Sequence, residues 1–341
     1  MAIGRGLYKY LAAEHVMVVF MLANTPMTLI QTEYIEKRIR QQLGVSNFSN
    51  VSNVSNVSSD GCAIDESRRA NPNRFGERVQ QESSIWSMYL TASLALTVML
   101  SANIWGALSD KYGRHVAFIM PCIGLAVNAV VNVFVVRFHL PLYVLIFGSL
   151  VQGISGGNAV FVVGCLGYIA DVTVPDSRER TVRYVMVDVI SIISATVCQL
   201  ASGFIIRTYG YVAPYLIIIG LDIVATVLIV LFLPVRRIAH PDDDAAVCPN
   251  EEIPSSPLNV IKNIRSLFAR ERRRSWLLAG YNYTLFCMTV FNVALPTITV
   301  LYTTAEPFCM DPVKEGYFQA AVSAVYGFGV LVGGVVLTKI L

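Results

Sequence analysis

Long apolar blocks constrain this chain more than any other feature of its sequence. A helix rises about 1.5 Å per residue, so about 20 apolar residues cross the hydrocarbon core of a bilayer. Charged residues make up only 14% of the chain, against roughly 25% in soluble domains. Eight stretches reach or approach the spanning length, at 11–32, 85–106, 116–136, 142–166, 184–206, 212–234, 276–302 and 317–341. The sequence therefore predicts an all-α membrane protein.

Patterns typical of enzymes and of metal or nucleic-acid sites do not occur in the sequence. The four His are scattered, and neither a nucleophile elbow nor a metal-ligand spacing appears. The net charge of +3 is too small to indicate a nucleic-acid partner. We therefore expect a protein that is not an enzyme, with no cofactor, no metal and no nucleic-acid partner.

The first loop, 33–84, indicates which side of the membrane is which. It carries four consecutive Asn-x-Ser sequons, which favour a glycosylated loop outside the cytosol over a chance low-complexity segment. They begin at Asn47, Asn50, Asn53 and Asn56. Alternation then places fifteen Lys and Arg in cytosolic segments and three in the short outside loops, although the first loop carries seven. We predict a cytosolic N-terminus.

Two of the seven cysteines lie in predicted outside loops. Cys62 is in the first loop and Cys309 follows the seventh apolar stretch. An oxidising compartment favours a disulfide between them over two free thiols.

The chain divides into a six-span bundle at 1–234, a cytosolic linker at 235–275 and part of a second bundle at 276–341. Six spans, a long linker and further spans are typical of transporters built from two halves. We expect the first half to be complete and the second to contain about two helices.

The segment GALSDKYGRH, 106–115, interrupts two apolar runs. Gly106 would let a neighbouring helix approach, and Gly113 would permit a tight turn. Asp110 could cap the helix that follows. Arg114 needs an anion, for which Asp171 at the end of the fourth span is the candidate. Such a pair can act as a latch that forms and breaks; the alternative is a static turn with solvated charges.

This segment resembles the cytosolic signature between helices 2 and 3 of the major facilitator superfamily. Residues 170–189 and 298–311 further resemble the proton-coupled folate transporter group, solute carrier family 46. The resemblance implies proton coupling at Asp188 in the fifth span, and a disulfide between Cys62 and Cys309. It also implies a symporter for a folate-like or other organic anion in the plasma membrane or an endolysosomal membrane.

Two alternatives to this symporter remain open. One is an endolysosomal exporter of the same family. The other is a truncated, non-transporting membrane protein with an interaction role. The substrate and the oligomeric state are not predicted.

Polar groups within the spans are further candidates, because charge at membrane depth is costly. Asp188 either carries a proton or pairs with Arg180 or Arg183. Asp222 either faces a cavity or bonds a neighbouring helix. Glu14, at the inner edge of the first span, is expected to be solvated. Candidates to line a central cavity are Asp222, Asn158, Asn282 and Asn292. Gly153 and the Gly329–Gly333 pair predict close helix packing.

Overall fold

The computed structural model describes residues 12–48, 72–173, 178–233, 297–303 and 312–340, with single positions between 276 and 310. Regular structure in these ranges is helical. The helices are α1 (Ala12–Asn24), α2 (Pro26–Phe48), α3 (Pro72–Tyr112), α4 (His115–Phe138), α5 (Tyr143–Ile154), α6 (Gly157–Val172), α7 (Arg178–Tyr209), α8 (Val212–Phe232) and α9 (Pro312–Ile340).

Seven helical segments of the described ranges are long and apolar enough to cross a membrane. They are Ala13–Leu43, Arg78–Ser109, His115–Phe138, Tyr143–Val172, Glu179–Tyr209, Val212–Phe232 and Val313–Gly333. Each corresponds to one predicted stretch. The remaining stretch, 276–302, is described only in part, and the residues described there are helical. The predicted all-α membrane architecture is confirmed.

Helices extend into the predicted loop 33–84 from both sides. α2 continues to Phe48 and α3 begins at Pro72. The residues concerned include many Glu, Gln, Lys and Arg, which favour helix without being apolar. A criterion based on hydropathy therefore ends the first span too early. Asn47 lies in the last turn of α2. Asn50, Asn53, Asn56, Cys62, Cys309 and the linker 235–275 lie outside the described residues.

Two spans contain a break in the helix. In the first span, Pro26 has no N–H to donate, and α1 ends where Thr25 bonds the carbonyl of Met21 at 3.0 Å. In the fourth span, Gly156 and Gly157 have φ of 95° and 51°, a conformation that favours glycine. These breaks place Asn24 and Gln152 within 3.3 Å of each other.

Small residues and rings join the helices of the first bundle. A Cβ at Gly153 would lie 1.7 Å from the Thr97 hydroxyl, so α5 and α3 pack closely at this predicted glycine. Phe161 stacks on Phe20 with ring centroids 3.7 Å apart and meets Phe118 edge-on. The outward faces carry large exposed apolar side chains, among them Leu100, Phe134, Phe147, Val197 and Val224. Such a surface suits contact with lipid.

α9 packs against α7 in the opposite direction. A Cβ at Gly316 would lie 2.7 Å from the carbonyl oxygen of Gln199, and one at Gly327 would lie 2.8 Å from Ile192. Gly329 and Gly333 were predicted to suit close helix packing, but a Cβ at either would meet no described atom within 4 Å. Among the described residues, Gly316 and Gly327 make the close contact of α9 with α7 instead.

Candidate functional site

The 106–115 segment forms the turn between α3 and α4. Gly113 has φ of 107°, and its N–H donates to the carbonyl of Ser109 at 3.0 Å. This is the tight turn that the sequence predicts. The turn directs Arg114 towards the end of α6, and we call this end of the bundle the motif end.

Arg114 binds Asp171 at the motif end through two contacts. Its Nε donates to Oδ2 at 2.8 Å, and its Nη2 to Oδ1 at 3.4 Å. The two side chains are 25% and 30% exposed, so the pair lies at the boundary between the bundle and solvent. The guanidinium lies against Gly167, where a Cβ would be 2.9 Å from Nη1. Sequence reasoning missed Gly167, because a glycine within an apolar helix does not reveal what lies over it.

Two expectations for this segment find no support among the described residues. A Cβ at Gly106 would meet no described atom within 4 Å, so no described helix approaches there. Instead Gly106 borders a cavity of about 90 Å³ with Ser109, Arg114 and Val163. Asp110 belongs to the last turn of α3, and the N-cap residue of α4 is Arg114. The turn is longer than the capping prediction assumed.

Glu14 is buried and paired rather than solvated. It lies on α1 with its Oε1 3.3 Å from Nη2 of Arg183 on α7, and the two side chains are 7% and 8% exposed. The Glu14 Oε2 has no hydrogen-bond partner among the described residues. The prediction failed because α7 begins at Arg178, before the apolar run, so Arg183 lies inside the bundle opposite α1.

Asp188 lies on α7, roughly three turns after its start. It is exposed, whereas the neighbouring Val187 is buried. Arg183 binds Glu14, and Arg180 binds Thr173 and the carbonyl of Ala170. Both arginines that were candidate partners of Asp188 therefore contact other groups.

Gln199 follows Asp188 by roughly three full turns, so the two share a face of α7. Ile192 on nearly the same face contacts Gly327 of α9. Asp188 therefore lies on the side of α7 that α9 contacts at Ile192 and Gln199.

Asp222 is 2% exposed at the contact of α8 with α4. Its carboxyl meets the Cys122 thiol, and its Oδ1 has no partner within the described ranges. This geometry corresponds to the interhelical alternative. Asn158 is exposed on α6, and Asn282 and Asn292 lie outside the described residues.

A cavity lies where the first bundle meets the 297–303 segment and α9. Its volume is about 10 Å³, room for about one water molecule. Its lining is Thr25, Thr28, Leu29, Gln199, Thr297, Val300 and Gln319. Asp222 and Asn158, the predicted cavity residues that the structure describes, are not among them. The sequence did not indicate that Thr and Gln would line a cavity, because these residues are tolerated on any helix face. Only the packing shows which face turns inward.

The family model for the Major Facilitator Superfamily matches residues 79–341. The chain belongs to the major facilitator superfamily. The fold class predicted from the sequence is thereby confirmed.

Curated relatives of this major facilitator chain are members of solute carrier family 46, as the sequence predicted. A lysosomal proton-coupled steroid conjugate and bile acid symporter of Bos taurus is 26% identical over 89% of this chain and 63% of its own length. The human form is 25% identical over 93% of this chain and 66% of its own length. The proton-coupled folate transporter of Bos taurus is 24% identical over 88% and 61%. The chain thus spans less than two thirds of these relatives.

Proposed function

We propose that this chain belongs to a proton-coupled symporter of organic anions that works by alternating access. The observation that carries the proposal is the cavity lined by both bundles, with Asp188 exposed on the α7 face that also carries Gln199. A carboxylate on the face between two moving bundles can bind a proton at one mouth and release it at the other.

The Arg114–Asp171 pair is the proposed latch of the cytosolic mouth. It is a two-point ionic contact between the start of α4 and the end of α6. Its partial exposure means that water can replace each contact when the helices shift. Such an element has two states of similar free energy, which gating requires. The proposal places the N-terminus and the motif end in the cytosol and the sequon-bearing segment outside.

The proposed cargo is a folate-like or other organic anion. The relatives include a folate transporter and a steroid conjugate and bile acid symporter, both proton-coupled by name. Folates and bile acids share a carboxylate or other anionic group on a large apolar or aromatic body. The proposed membrane is the plasma membrane or an endolysosomal membrane.

Replacing Asp188 with Asn should abolish the stimulation of uptake by an inward proton gradient. Coupling between two bound species is typically roughly 5–150-fold, and a loss in this range is expected. The measurement is uptake of radiolabelled folate and of a radiolabelled bile acid into vesicles with and without the gradient. Glu82→Gln, an exposed carboxylate on α3, is the matched control. Equal gradient stimulation in wild type and Asp188→Asn would refute the role of Asp188.

A further inference from the structure

Glu315 is a buried acid that the proposed function does not use. It lies in the first turn of α9 and has no exposed surface. Its position is the junction where α9 packs on α7, beside Gly316. A glutamate with no access to water is costly to keep charged unless a cation or several donors stabilise it.

The hydrogen-bond partners of Glu315 are neutral in the part of the chain that the structure describes. Thr303 contacts its Oε2, and the Gln319 amide donates to its Oε1 at 2.8 Å. α7 presents the Gln199 carbonyl and Gly203 to this turn of α9. Lys314, the neighbouring cation on the same helix, is exposed.

Across the junction, the charge of Glu36 on α2 acts on Glu315. Glu36 itself is bound by Arg40 at 2.7 Å. The surroundings of Glu315 in the described part of the chain thus contain one acid and neutral donors, and Arg40, the cation at that acid, is already bound.

The Thr303 hydroxyl has one hydrogen and three oxygen neighbours. Besides Glu315, it lies 2.9 Å from the carbonyl of Thr299 and 3.0 Å from that of Val300. If Glu315 is ionised, the single hydrogen of Thr303 is donated to Glu315 and neither carbonyl receives it. If Glu315 carries a proton, its O–H can donate to Thr303, and Thr303 can donate to one of the two carbonyls as well. Gln319 then donates to the other oxygen of Glu315. A protonated acid therefore lets all three groups hydrogen-bond at the same time.

We propose that Glu315 is a proton-binding site in the second bundle, occupied while α7 and α9 are in contact and emptied when they part. Gln319 links it to the cavity, since Gln319 both bonds Glu315 and lines the cavity wall. The emptying of this site during transport rests on the proposed function. The binding of a proton at Glu315 while α7 and α9 are in contact does not rest on it.

Infrared spectroscopy of the purified full chain tests the site without any transport assay. A protonated carboxylic acid gives a C=O stretching band that a carboxylate lacks. At neutral pH we expect such a band in the wild type and in Asp188→Asn, and its loss in Glu315→Gln. If the spectrum of Glu315→Gln keeps every carboxylic acid band seen in the wild type, the proposal is overturned, whatever the outcome of the uptake experiment.

Thr303→Val provides a second test that does not depend on the Gln variant folding. It removes the hydroxyl that contacts Glu315 while keeping a side chain of similar shape. The carboxylic acid band should shift in frequency, because the C=O stretch responds to the hydrogen bond made by its O–H. Thr299→Val, one turn earlier on the same helix, is the control, because the Thr299 hydroxyl donates to the carbonyl of Leu295 and not to Glu315. An unshifted band in Thr303→Val would contradict the assignment.

Discussion

Replacing Arg183 with Met should strongly destabilise the protein. Glu14 would be left buried without its cation, and breaking a buried pair costs about 3–5 kcal/mol. That is a large part of a total stability of about 5–15 kcal/mol. The measurement is the free energy of unfolding in detergent, or the midpoint of thermal unfolding.

A double variant separates the ion pair from simple packing. Replacing both partners, Glu14→Leu with Arg183→Met, removes the orphaned charge, so most of the lost stability should return. Arg137→Met, an exposed arginine at the end of α4, is the control and should change stability little. If the double variant is less stable than Arg183→Met, the two side chains do not act as a pair.

Arg114→Gln should slow cargo uptake by about tenfold, since a charged hydrogen bond contributes about 1.5 kcal/mol. The amount of protein in the membrane should stay the same, because the pair is partly exposed and its loss leaves both groups accessible to water. The measurement is initial uptake of radiolabelled folate or bile acid, normalised to surface protein. Unchanged uptake would contradict the latch.

Gly167→Ala perturbs the same contact without removing a charge. The new methyl group would lie 2.9 Å from Nη1 of Arg114 and should push the guanidinium away from Asp171. We expect slowed uptake in the same direction as Arg114→Gln. Gly220→Ala is the matched control, because a Cβ there would meet no described atom within 4 Å. Equal uptake by the two alanine variants would show that the position of the guanidinium does not matter.

The membrane helices could be predicted from the sequence because lipid imposes a single requirement, a sufficiently long apolar run. The ends of these helices could not. α2 reaches Phe48 and α7 begins at Arg178, through polar residues that favour helix but carry no hydropathy signal. This shift of the α7 start is what buries Arg183 against Glu14 and places Asp188 deeper along the helix.

The Arg114–Asp171 contact was foreseen because a short turn between two spans restricts where its arginine can reach. The cavity was not foreseen, since its polar lining is Thr and Gln, residues that occur on every face of a membrane helix. Which face turns inward depends on the rotation of each helix, and small residues at particular heights set that rotation. Gly316 and Gly327 set it for α9, and their role appears only beside Gln199 and Ile192.

The central claim is that α7 and α9 must part in every transport cycle. Phe204 and Tyr317 face each other across this junction with ring centroids 5.8 Å apart, and both are exposed. A Phe204→Cys, Tyr317→Cys double variant therefore places two accessible thiols across this junction, which a cleavable thiol-reactive cross-linker can join and reductant can release. The single-cysteine variants under the same treatment control for other thiols. We predict that cross-linking stops the uptake of radiolabelled folate and bile acid and that reduction restores it. Undiminished uptake by the fully cross-linked protein would contradict the account.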